Sequence, residues 1–205
     1  MKKILIIFAH PVLEKSRVHK TLLKYISGLD HVTFNDLYEN YPEFDIDVKK
    51  EQQLLLSHDI IIWQFPLYWY SAPALLKQWQ DLVLEHGWAY GKNGMALSGK
   101  KVFNVITSGG GMKAYQPDGY QHCTMTDVMK PYERTASLCR MVYWPPFWIP
   151  GTHKLDLAQI KEYGEKYRQL LIELGIDNLN EEDLLQAGCI NDLIEPSKSN
   201  LINNG

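Results

Sequence analysis

Three consecutive aromatic residues, Tyr68-Trp69-Tyr70, sit inside the stretch Phe65-Pro66-Leu67-Tyr68-Trp69-Tyr70-Ser71-Ala72-Pro73. Prolines on both sides restrict the backbone. The rings between them can form a flat platform for a planar aromatic ligand such as a flavin. Stacking of that kind contributes about 0.5–1.5 kcal/mol beyond area burial. The same residue types also suit a hydrophobic turn that caps a core.

Two further loops carry complementary chemistry. The first runs from His10 to His19. Ser16 is placed to cap a helix, whose first turn offers unpaired N–H groups and a positive dipole end to an anion such as a phosphate. Arg17 adds a permanent charge, and His10 and His19 can donate hydrogen bonds. An ordinary capped helix with surface charges explains the same residues. In the other loop, Thr107-Ser108-Gly109-Gly110-Gly111, glycines let the backbone approach a ligand without a Cβ clash. Its N–H groups suit the pyrimidine edge of a flavin, where negative charge gathers on two-electron reduction. A flexible turn is the alternative.

These loops are useful to one another only if the fold brings them together. Residues 3–9 form a continuous β-prone run, as expected of a strand buried on both faces. Val32 to Leu37, Asp59 to Phe65 and Lys101 to Thr107 read as further strands. Met141 to Tyr143 and Phe147 to Ile149 read as a fifth, interrupted by Pro145-Pro146. Helical spacing marks Arg17 to Ile26, a short helix near Asp47 to Leu56, Ala74 to Val83, Thr124 to Cys139 and Leu155 to Leu174. This alternation predicts an α/β three-layer sandwich with a five-stranded parallel sheet. Without a G-x-G-x-x-G after the first strand, a flavodoxin-like order of 2-1-3-4-5 is favoured over a dinucleotide Rossmann fold. In that order the loops after strands one, three and four meet at one rim.

Composition narrows the alternatives. The 205 residues are 45% hydrophobic and 22% charged, with net charge −3, as in a soluble globular protein. The scattered basic residues argue against nucleic acid as a partner. Three distant cysteines, Cys123, Cys139 and Cys189, contain no CxxC. They argue against a disulfide framework or structural zinc and for a reducing, cytoplasmic location. The apolar start is too short for a signal peptide and reads as a first strand. No run approaches the roughly 20 apolar residues of a membrane span. No G-x-S-x-G occurs, and Cys123 has no evident activating neighbour beyond His122. Residues 1–175 read as one domain and 176–205 as a loosely packed extension with a disordered end.

Several blocks resemble the flavodoxin-like NAD(P)H:quinone oxidoreductase family, in the branch with the ancillary proteins of glutathione-gated potassium-efflux systems. They are His10-Pro11 with Ser16-Arg17-Val18, Gln64 through Trp79, Trp88-Ala89-Tyr90-Gly91, Leu97-Ser98-Gly99-Lys100, Thr107-Ser108-Gly109-Gly110, Pro131-Tyr132-Glu133 and Pro145-Pro146-Phe147. The resemblance implies bound FMN, with FAD as the alternative, NAD(P)H as co-substrate, ping-pong reduction of quinones and a homodimer. It implies phosphate and ribityl contacts from His10, Ser16, Arg17 and Val18. Ring contacts fall to Pro66, Leu67, Tyr68 and Trp69, and polar-edge contacts to Thr107, Ser108, Gly109 and Gly110. Tyr115 matches a family tyrosine near flavin and nicotinamide. The spacing of a family histidine that assists hydride chemistry falls on Gln121, with His122 adjacent as the candidate. His19 stands where relatives usually carry Asn. A second function follows from the same branch: a regulatory subunit of a potassium-efflux membrane protein, at the inner face of the membrane. Trp144-Pro145-Pro146-Phe147-Trp148 is then a candidate interface, or else a bent core strand. A flavodoxin-type electron carrier is a third reading, which the small net charge disfavours.

Overall fold

The computed structural model describes residues 1–195. In chain order the elements are β1 (Ile4–Phe8), α1 (Arg17–Ile26), β2 (Val32–Asp36), α2 (Leu37–Asn40), α3 (Val48–Leu56), β3 (Ile60–Pro66), α4 (Ala74–Val83), β4 (Lys101–Thr107), α5 (Met125–Leu138), β5 (Val142–Tyr143), β6 (Phe147–Ile149), α6 (Leu157–Gly175) and α7 (Glu181–Gln186). The sheet order is β2-β1-β3-β4-β5, with β6 also paired to β4, and every pairing is parallel. The expected 2-1-3-4-5 order is therefore present. β5 and β6 are the two halves of one interrupted edge strand. Between them lie Trp144, Pro145 and Pro146, and proline cannot donate to a sheet ladder.

Side-chain alternation along the strands divides the core in two. Leu5, Ile7, Ile61, Trp63 and Phe65 face one layer, with Leu55, Leu75, Leu76, Trp79, Val128 and Tyr132 from α3, α4 and α5. Ile4, Ile6, Phe8, Ile60 and Ile62 face the other, with Val18, Leu22, Ile160, Tyr167, Leu170 and Leu171 from α1 and α6. Gln64 lies in the second row as a polar residue within an apolar strand, fully buried.

Several local features refine the sequence expectations, each with a physical cause. The helix expected over Thr124 to Cys139 is present as Met125–Leu138 and runs through Pro131. It is secured by a capping box in which Thr124 and Asp127 satisfy each other's backbone groups. After β2 the chain turns at once into the short α2, because the Asp36 carboxylate accepts from the Tyr38 and Glu39 N–H groups. The Trp144–Trp148 segment is not an exposed interface: Trp144, Phe147 and Trp148 are all buried, so the bent core strand is the correct reading. Finally, the extension that begins at residue 176 sends three side chains into the core. Leu184, Ile190 and Ile194 join the second core layer. The Asn191 carboxamide accepts from the Trp148 N–H and donates to the Trp148 carbonyl. The expected disordered end, residues 196–205, lies outside the described residues.

Elsewhere Glu51 is fully buried and accepts from Asn35 Nδ2, Tyr41 Oη and Trp79 Nε1 at 2.7–2.8 Å.

Candidate functional site

The carboxyl rim of the sheet holds a cleft of about 460 Å³, within the range of about 300–1,000 Å³ for small-molecule sites. Its wall includes His10, Ser16, Arg17 and Val18 from the first loop, and Pro66, Leu67 and Tyr68 from the second. Thr107, Ser108 and Gly109 come from the third. The parallel register explains the convergence, because Phe8 pairs with Gln64 and Pro66 with Thr107. The Leu67 N–H donates to the Thr107 carbonyl at 2.8 Å, tying the second loop to the third. Tyr68 meets His10 edge-on at 6.3 Å, tying the second to the first.

Each loop presents donors. Ser16 caps α1, its Oγ accepting from the His19 N–H at 3.1 Å, so the hydroxyl proton remains available to a ligand. Among the described residues, the Arg17 and Val18 N–H groups in the first helical turn have no acceptor, the usual state of a helix start. His10 Nδ1 accepts from the Val12 N–H at 3.1 Å, which leaves the Nε2 proton free. Burial lowers the His10 pKa, while nearby Glu14 opposes the shift. The Gly109 and Gly110 N–H groups are likewise without an acceptor among the described residues. A Cβ on Gly109 would lie 3.0 Å from His153 Nε2, and one on Gly110 2.9 Å from Tyr115 Cε2. The turn thus takes side chains on its flanks and keeps its N–H groups bare.

Other residues hold this geometry rather than offer contacts. Ser108 Oγ donates to the Gly110 carbonyl and accepts from Trp148 Nε1, and the Ser108 N–H donates to Ile149. The serine thus braces the glycine turn although it lines the cleft. Trp69 and Tyr70 occupy left-handed backbone, with φ of 49° and 62°. Reciprocal bonds between Tyr68 and Ser71 close the turn around them. Positive φ at both central positions marks a type I′ turn, which is strained for aromatic residues. Tyr70 Oη donates to Gln121 Oε1 at 2.9 Å. Trp69 is 92% exposed at the rim and is not on the cleft wall.

Gly110, Tyr115 and His122 also stand off the wall. Tyr115 is buried, meets Trp148 edge-on at 5.5 Å and lines a neighbouring cavity of about 560 Å³. Burial raises its pKa, and Tyr70 and Cys123 add to the shift, so the phenol keeps its proton. His122 is exposed, in left-handed backbone with φ of 52°. Sequence reasoning missed Val12, Lys15, Thr152 and His153, which complete the wall. Thr152 and His153 follow the carboxyl end of β6, and that position alone was the signal available. Among the described residues no group of three or more His, Cys, Asp or Glu side chains could hold a metal, and no helix is long and apolar enough to cross a membrane. All three cysteines are free thiols.

The donor set suits an elongated ligand with an anionic end near α1 and acceptor atoms near the glycine turn. Comparison with known proteins agrees. The family model described as "Flavodoxin-like fold" matches residues 2–171. The glutathione-regulated potassium-efflux system ancillary protein KefG of Cronobacter sakazakii is 43% identical over 171 residues, which are 83% of this chain and 93% of that protein. The structure of general stress protein 14 from Treponema denticola, in complex with FMN, aligns with TM-score 0.80 at 40% identity, covering 84% of this chain and 99% of that one. An NADPH-quinone reductase from P. pentosaceus aligns with TM-score 0.75 at 36% identity, covering 82% of this chain and 96% of that one.

Proposed function

We propose, from the premise that this chain belongs to the Flavodoxin_2 family of flavodoxin-like fold, that it is an FMN-dependent NAD(P)H:quinone oxidoreductase. The observation that carries this reading is one cleft lined by His10, Ser16, Arg17, Tyr68, Thr107 and Gly109, from three loops far apart in sequence. Bound FMN would supply two-electron redox chemistry between NAD(P)H and a quinone. The protein's own groups bind and orient it. The Ser16 hydroxyl, the Arg17 and Val18 N–H groups and His10 Nε2 hold the phosphate and ribityl end. Pro66, Leu67, Tyr68 and the Trp69 turn flank the ring. Thr107 and the N–H groups of Gly109 and Gly110 serve its polar edge, with Ser108 as their brace. Tyr115, protonated and packed against Gly110, is the catalytic candidate. His122, exposed on the same loop, is the second catalytic candidate.

Residues 1–175 are the flavin-binding unit and 176–205 an extension. A homodimer fits the exposed Trp69, Tyr70 and Tyr120, which the Tyr70–Gln121 bond gathers at the rim. Covering them with a second copy removes apolar surface from water. The protein acts in the cytoplasm. The 43% identity to an efflux-system ancillary protein supports a second reading, a regulatory partner of a potassium-efflux membrane protein at the inner face of the membrane. Retention by vesicles carrying such a transporter, but not by empty vesicles, separates that role from the enzymatic one.

The direct test is the visible spectrum of the purified full chain, with mass spectrometry of whatever heat releases, followed by NADPH or NADH oxidation with a benzoquinone. The expected result is a flavin absorbance band, FMN by mass and quinone-dependent turnover. A colourless protein that takes up no FMN and oxidises nothing beyond a free-FMN control would end the reading.

A further inference from the structure

A line of four polar side chains runs beneath the cleft, one from each of four elements. Tyr167 Oη on α6 lies 2.9 Å from Gln64 Oε1 on β3. Gln64 Nε2 lies 3.4 Å from His19 Nδ1 on α1, the longest link. His19 Nε2 lies 3.1 Å from Thr107 Oγ1 at the end of β4. Tyr167, Gln64 and His19 are fully buried. Thr107 is the member that reaches the cleft wall.

Counting protons gives the line a direction. The Tyr167 phenol has one proton and, among the described residues, one hydrogen-bond partner. A buried donor left unbonded is penalised by its full desolvation, so Tyr167 donates and the Gln64 amide must present its oxygen to the phenol. The amide NH2 then faces His19, whose Nδ1 accepts. A neutral imidazole with Nδ1 as acceptor carries its proton on Nε2, and that proton goes to Thr107 Oγ1. The Thr107 hydroxyl proton is left over. Among the described residues no protein acceptor is recorded for it, and the side chain borders the cleft. The opposite direction would strand the phenol proton in the core and spend the Thr107 hydroxyl proton on His19 Nε2, leaving only lone pairs for the cleft. A doubly protonated His19 would force Gln64 Nε2 against an N–H. Burial, and secondarily His10, hold the His19 pKa down to about 3, so the neutral ring is the one present near neutral pH.

We infer that the Tyr167–Gln64–His19 relay fixes the Thr107 hydroxyl as a hydrogen-bond donor to the cleft's ligand, which makes these three buried residues positioning residues for the bound flavin. The inference rests on the FMN reading above for its ligand, while the direction of the relay stands on the protein alone. A donor at Thr107 serves a ligand acceptor better when that acceptor is negative, because charge-assisted bonds are about twice as strong as neutral ones. The difference is on the order of tenfold in affinity. Thr107 therefore favours reduced over oxidised FMN.

The test begins with the full chain, labelled with 15N-histidine and studied as purified and after removal of flavin. Long-range 1H–15N NMR between pH 6 and 8 reports each histidine's tautomer, and His19→Asn assigns the His19 signal. The expected result is a neutral His19 protonated on Nε2 in both forms. A His19 protonated on Nδ1, or on both nitrogens, overturns the relay without any variant having to fold. In Tyr167→Phe the amide loses its anchor, and a mixture of tautomers is expected; an unmixed Nε2–H signal would refute the anchoring role of the phenol. On the FMN-loaded protein, Thr107→Val should lower the reduced-to-oxidised affinity ratio about tenfold, or about 30 mV in the two-electron midpoint potential. Thr107→Ser should restore it. A potential unmoved by Thr107→Val would overturn the proposed donation to flavin. Failure to take up FMN at all would refute the function above, and the tautomer measurement would still decide the direction of the relay.

Discussion

His19 makes the stability of this fold depend on pH in a calculable way. Its pKa is held down to about 3 in the folded chain, chiefly by burial, against about 6.5 in an unfolded one. Between those values the unfolded chain binds one proton more than the folded chain. Stability therefore rises with pH there and is lost as the solution is acidified below about pH 6.5, by about 1.4 kcal/mol per unit. Integrated from pH 7.5 to 5.0, the loss from this one site is about 2 kcal/mol. The perturbation is His19→Asn, which removes the titrating ring and keeps a polar side chain beside Gln64 and Thr107. Urea unfolding of the flavin-free full chain, followed by tryptophan fluorescence at both pH values, gives four free energies. Contributions from groups distant from His19 are common to both proteins and cancel. The parent chain should lose about 2 kcal/mol more than the variant on going to pH 5.0. Equal losses in the two proteins would show that His19 is not a buried neutral ring, and the reasoning about its environment would fall with it.

Other perturbations have equally definite outcomes. Trp69→Gly should relieve left-handed strain and raise unfolding stability by about 1 kcal/mol, while FMN fluorescence titration should show weaker retention; a stability loss would count against the strained turn. Glu51→Leu leaves donors on Asn35, Tyr41 and Trp79 without their acceptor, and urea titration should show at least about 3 kcal/mol of destabilisation. Gly110→Ala would set a methyl 2.9 Å from the Tyr115 ring. Such overpacking should cost about 1–3 kcal/mol and weaken FMN binding, and a variant indistinguishable in both assays would mean the ring gives way freely.

The sheet was legible because its strands are apolar runs of the right length, such as Ile60-Ile61-Ile62-Trp63, separated by helices with clear apolar faces. Once the order is known, the meeting of Ser16, Tyr68 and Gly109 follows from the chain's topology. What stayed hidden depended on partners distant in sequence. Gln64 interrupts an apolar strand and so had to find buried hydrogen bonds, but nothing in the chain says that Tyr167, 103 residues on, supplies one. The backbone of the Trp69 turn was equally unreadable, because aromatic residues give no sign of a left-handed conformation. His153 sits one loop beyond those considered. The packing of residues 176–195 escaped notice because the side chains that become buried, Leu184, Ile190 and Ile194, lie amid acidic and polar neighbours and make no long amphipathic run.

The carboxamide of Asn191 meets both backbone groups of Trp148, on the outermost strand of the sheet. An outermost strand normally offers a row of unused N–H and C=O groups to any other chain that drifts against it. Here a single side chain imitates the missing neighbour, and Ile190 adds a bond to the Pro146 carbonyl. The segment that follows the last long helix thereby acts as a selvedge. Removing it would leave the protein's redox cleft in place and its flank open to sticking, strand against strand, to copies of itself.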